Sequence, residues 1–179
     1  MDGADGLAIA ALAASIGAGL MFVAAGLVKL RHRSLVEGVV ADYRLLPASL
    51  VAPVARALPW GEIALGLALV AGLRPWAPGA GIALLLAFAA AMAVNIRRGR
   101  RNIDCGCGLS ALRQPLGWGT VARNVALAAS LLPATVLDAP HGAAAILVAA
   151  VTGAALFLCY LIGNAIAALP STPSRAMGR

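Results

Sequence analysis

The sequence predicts an all-α integral membrane bundle of four core spans plus a fifth C-terminal transmembrane helix, and three observations carry that reading. Hydrophobic residues make up 61% of the 179 and charged residues only 12%, where soluble domains have about 45–50% and about 25%. The apolar residues gather into runs of roughly 20, the length a helix needs to cross the bilayer hydrocarbon. The basic residues sit mostly in short connections between those runs.

The first run, Leu7 to Leu30, follows an acidic rather than basic start and is longer than a signal-peptide core, so it is expected to be retained as a first helix. The second, Leu50 to Leu73, carries Pro59, which is expected to kink it. The third, Ala77 to Ile96, follows the tight turn RPWAPG. Trp118 to Leu137 and Ala143 to Leu169 complete the set, joined by DAPHG. All five are read as helices, because unpaired backbone groups are too costly in lipid and the runs far exceed a barrel strand. Ser15, Gly19, Gly66 and Gly72 are candidates for close helix contacts, where small residues let backbones approach. The whole chain, 1–179, reads as one transmembrane domain surrounded by membrane lipid.

A formal charge of +7 would suggest a nucleic-acid partner in a soluble protein. Here it reports orientation instead. Lys29, Arg31, Arg33, Arg44, Arg97, Arg98, Arg100, Arg101, Arg113, Arg175 and Arg179 fall on one side, and Arg74 on the other. The excess of positive charge puts the amino terminus outside and the connection 97–117 in the cytoplasm.

Alternating spans bring the carboxyl ends of spans one and three and the amino ends of spans two and four to one face. Lys29, Asn95, Cys105, Cys107, Arg123 and Asn124 lie on or near that face, with Glu62 about midway along span two. A carboxylate at that depth costs about 2.5–3.5 kcal/mol by insertion scales unless it pairs, meets water or takes a proton. Glu62 therefore faces the interior, either fixing helix register against Lys29 or Arg123 or handling protons or substrate. Lys29, close to a helix end, is expected to snorkel as an interfacial anchor. Arg123 lies deeper and is expected to be paired, with Asn124 as an interhelical donor.

The segment RRNIDCGCGLS holds Cys105 and Cys107 around Gly106. Glycine gives that backbone freedom to close a bond between the sulfurs. The ring would be small and strained, and strain makes a disulfide labile and oxidising, suited to exchange rather than to holding a fold. A following helix amino terminus and nearby arginines would favour the thiolate. Copper(I) capture by two thiolates and incidental occurrence are the alternatives. A closed zinc site is not expected, since span parity puts His32 and His141 on opposite faces. Cys159, inside span five, is expected to be a buried apolar residue.

Taken together, Phe22 and AGLVKL in span one, YRLLP at 43–47, LPWGE with Glu62, NIRRGR at 95–100, CGCG at 105–108 and ARN at 122–124 resemble the MauE family, which is related to DoxX-like membrane proteins. The likeness covers about residues 7–135, and its most specific element is the CGC segment preceding an Arg-Asn pair. Family members commonly read CGCFG, whereas Gly108 and Leu109 follow the second cysteine here.

The resemblance implies a multi-pass cell-membrane protein that assists maturation of an exported, disulfide-rich enzyme such as the methylamine dehydrogenase β subunit. It implies a thioredoxin-like partner and an accessory factor rather than a stand-alone enzyme. Cys105 and Cys107 become the redox pair, and Glu62, Lys29, Arg123 and Asn124 positions of the shared motif. It also favours a periplasmic cysteine segment, where disulfides persist, against the cytoplasmic placement from charge. No motif specifies a cofactor, so a quinone acceptor stays open. The alternative function is a metal-handling or transporter subunit in which Glu62 and Arg123 line a path.

Overall fold

A computed structural model describes residues 3–103 and 116–167, so Cys105 and Cys107 lie outside the described residues. The described chain is all helical: α1 Gly3–Arg31, α2 Arg33–Tyr43, α3 Ala48–Val70, α4 Trp76–Arg97, α5 Trp118–Leu131, α6 Pro133–Val136 and α7 Ala143–Ala167. Among these, four are long and apolar enough to cross a membrane, over Asp5–Arg31, Ala48–Val70, Trp76–Arg97 and Ala143–Ile166.

The remaining predicted span, 118–137, is a helix in two pieces. Pro133 has no N–H to continue the ladder, so Leu132 turns back to bond the Ala129 carbonyl at 3.1 Å, and α6 restarts at Pro133. Leu132 keeps helical dihedrals (φ −55, ψ −45), and the two pieces together rise about 28 Å. Arg74, in the α3–α4 turn, donates through Nη1 to the Leu137 carbonyl at 2.9 Å, while Arg123, near the start of α5, reaches Asn164 near the end of α7. Residues 118–137 therefore run from one face of the bundle to the other.

The connection between the first two predicted spans, residues 31–49, contains α2. The chain breaks only at His32 (φ −121, ψ 46) and stops again where Arg44 enters the left-handed region (φ 48). Val36 turns inward while Leu35 stays exposed, and α2 packs mainly against α3.

α1 is the centre of the bundle, lying against α3 and α7, while α4 pairs with α5. The α1–α3 crossing is close because glycine meets glycine. A Cβ on Gly19 would stand 2.7 Å from the Gly66 carbonyl oxygen, and one on Gly66 would stand 2.6 Å from that of Gly19. Gly26, one heptad on, sits as tightly beneath the Pro59 carbonyl. Against α7, Gly153 takes the same part beside the Ala13 carbonyl. Ser15 is buried and bonds the Ala11 carbonyl of its own helix at 3.0 Å.

Gly72 is not a packing residue. It adopts φ +72 and closes α3, its N–H bonding Leu69 and that of Leu73 bonding Ala68, the two-bond pattern that satisfies orphan carbonyls at a helix end. Gly99 closes α4 in the same way at φ +75, with bonds from Gly99 to Ile96 and from Arg100 to Asn95. α3 itself runs unbroken through Pro53 and Pro59.

Candidate functional site: a buried ion pair beneath a stapled segment

Lys29 does not snorkel outward. In the last turn of α1, its ammonium donates to both carboxylate oxygens of Glu62, at 2.7 and 2.8 Å. The side chains are 10% and 1% exposed, so both charges are largely withdrawn from bulk water. A forked, fully buried bond of this kind is charge-assisted and short, and removing either partner would strand the other in a low-dielectric interior. The ammonium also lies 5.9 Å from the centre of the Phe88 ring on α4, within the range at which a ring face attracts a cation.

Arg123, the other candidate partner for Glu62, is engaged elsewhere. Its Nη1 donates to Asn164 Oδ1 at 2.6 Å, and its guanidinium lies 5.5 Å from the centre of the Tyr160 ring. α7 is therefore tied into the polar centre. Asn164 was within reach of sequence reasoning, as an isolated amide in an otherwise apolar run, by the rule that intramembrane polar residues face inward. Asn124 is buried, but its amide bonds the Thr120 carbonyl of its own helix at 2.8 Å rather than another helix. With Lys29, Glu62, Phe88 and Tyr160 it encloses a void of about 20 Å³, the space of one water molecule.

Above this centre the segment carrying the cysteines is pinned at its root. Asn95, fully buried, donates to the Tyr43 and Ala91 carbonyls at 3.1 Å and accepts from Arg100 at 3.3 Å. The tip of α2 and the exit from α4 are thus fastened together. The Leu116 N–H then bonds the Arg101 carbonyl at 3.0 Å, closing the neck of the segment. Ile103 and Leu116 are buried with Met92 and Ile96, and Phe88 packs on the same cluster. Phe88 thereby links the neck to the ion pair.

Cys159 is exposed. On a membrane-crossing helix that position faces lipid, because α7 turns Ala149, Gly153, Phe157 and Tyr160 toward the bundle and leaves Leu156, Leu158 and Ile162 exposed. Among the described residues no three His, Cys, Asp or Glu side chains gather as a metal site.

Four long helices and one broken one around a buried lysine–glutamate pair define a multi-pass helical membrane protein with a polar centre inside the bundle. Residues 7–137 match the family model described as methylamine utilisation protein MauE, and the chain belongs to the MauE family. It is 40% identical over 169 residues to the methylamine utilization protein MauE of Paracoccus denitrificans, covering 89% of this chain and 90% of that protein. It is 37% identical over 171 residues to that of Methylophilus methylotrophus, covering 90% and 88%. With that of Paracoccus versutus it shares 39% over 164 residues, 87% of each. No solved structure matches.

Proposed function

We propose that this protein serves methylamine utilisation as an accessory maturation factor of the bacterial cell membrane, exchanging disulfides through Cys105 and Cys107 with a thioredoxin-like partner. The client is an exported, disulfide-rich enzyme. The observation that carries the reading is the closed neck: Arg101 and Leu116, which flank the stretch that includes the CGC motif, are bonded together, and Phe88 links that neck to the buried ion pair. A thiolate of the partner attacks one sulfur of the Cys105–Cys107 bond and releases the other as a thiolate. A second partner thiolate then resolves the mixed disulfide, leaving two thiols on this chain and one disulfide on the partner. Two electrons move, and the reverse sequence reduces the partner instead. The Lys29–Glu62 pair holds α1 and α3 in register beneath the reacting segment. The name borne by the relatives supports the pathway, and the spacing of the cysteines supports the chemistry.

The test uses Cys159→Ser as background, leaving only the CGC thiols. Alkylation trapping is expected to find a bond reversible by dithiothreitol, and a mixed disulfide in either single serine variant. A membrane-impermeant maleimide applied to intact cells reads the side of the membrane. The Cys105→Ser/Cys107→Ser double variant is expected to abolish growth on methylamine. Full growth of that variant removes the thiol mechanism, and copper retained by the parent but lost from the double variant replaces it with metal handling.

A further inference from the structure

Arg123 is a cation inside the bundle, and among the described residues it meets two uncharged groups, the Asn164 amide oxygen and the Tyr160 ring. The bond to Asn164 uses Nη1 alone, and among the described residues Nε and Nη2 are buried without a hydrogen-bond partner. Those two nitrogens form one edge of the guanidinium, with parallel N–H groups spaced to take both oxygens of a single phosphate or carboxylate.

The Arg123 side chain also walls a cavity of about 310 Å³ that is otherwise almost wholly apolar, with Ala14 and Gly17 of α1 as its floor and Ala126, Leu127 and Leu156 among its sides. It exists because α5 and α7 both rest on α1 but scarcely touch each other. Ala126 and Leu156 are exposed, so the cavity opens sideways toward the membrane. Arg123 is five residues into α5, about 7.5 Å along the helix from its start. The same face carries Arg97, Arg98, Arg100 and Arg101, which concentrate anionic lipid at that surface.

We infer that the α5–α7 groove is a binding site for one anionic phospholipid, its phosphate held by the Nε–Nη2 edge of Arg123 and an acyl chain lying over Ala14 and Gly17. A small rotation of the Arg123 side chain into the adjoining groove brings the edge to the phosphate. An anionic lipid is favoured over a zwitterionic one because no headgroup cation offsets the phosphate charge that Asn164 and Tyr160 do not supply. The lipid fills the gap between two helices that otherwise meet chiefly through Arg123. This inference is independent of the cysteines.

The test is native mass spectrometry of the full-length protein exchanged into bilayers of phosphatidylcholine with phosphatidylglycerol at equal amounts. One phosphatidylglycerol is expected to stay bound, at least tenfold enriched over phosphatidylcholine. Arg123→Gln is expected to abolish the enrichment. Ala126→Phe, which fills the groove from an exposed position and leaves the guanidinium in place, is expected to abolish it as well. Equal retention of the two lipids by the parent protein overturns the proposal, as does undiminished enrichment in either variant.

Discussion

Glu62→Ala is expected to destabilise the protein by about 3–5 kcal/mol, the cost of leaving one member of a buried ion pair uncompensated. The reason is the geometry: both carboxylate oxygens accept from Lys29, and the Glu62 side chain is 1% exposed, so the ammonium left behind has no route to water. Lys29→Ala is expected to cost a similar amount by stranding the carboxylate. The double change Lys29→Met/Glu62→Leu removes both charges and keeps most of the volume, and is expected to recover most of the lost stability. Thermal unfolding in detergent, read as a double-mutant cycle, checks this. A double variant no more stable than either single one would show that the pair does more than neutralise itself. Growth on methylamine, measured on the same double variant, separates a register role from a chemical one.

Gly66→Val is the other large effect, expected to cost at least about 3 kcal/mol, the upper end of what overpacking usually costs. A Cβ there meets the Gly19 carbonyl at 2.6 Å and Val23 at 2.8 Å, and a carbonyl oxygen cannot swing aside as a side chain can. α1 and α3 must separate, which also pulls Lys29 from Glu62. Gly61→Ala, five residues earlier on the same helix, meets open space and is expected to leave stability unchanged or raise it by up to about 1 kcal/mol. Equal melting temperatures for the two variants would show that the crossing tolerates wider spacing.

Much of the site could be read before the fold, and the failures have a common cause. Glu62 was marked by the cost of its charge, and Lys29 was one of two candidate partners. The choice between Lys29 and Arg123 depended on how each helix is rotated about its axis, and the spans give weak clues to rotation. Lipid and core are both apolar, so a membrane helix need not show the polar and apolar faces that orient a soluble one. The same weakness hid the outward turn of Cys159 and the intrahelical bond of Asn124. Gly72 stands among the candidates for close contact because glycine serves equally at a close crossing and at a helix end, and only its dihedral of +72 distinguishes the two. α2 was missed because its 11 residues are short, partly charged and flanked by basic residues, as a loop would be. The break at Pro133 was visible in the sequence as a proline inside a span, but a single proline does not reveal whether a helix bends through or restarts.

The amino-acid sequence alone marked the long apolar helices and singled out Glu62 as a charge that must face inward. Those properties follow from hydrocarbon thickness and the cost of burying charge, which act on each segment separately. Only the tertiary structure decided that Lys29 rather than Arg123 meets Glu62, and that Arg123 turns to α7. These choices are settled where glycines 19, 26 and 66 let two backbones touch, a contact between distant segments that sets the rotation of both helices at once.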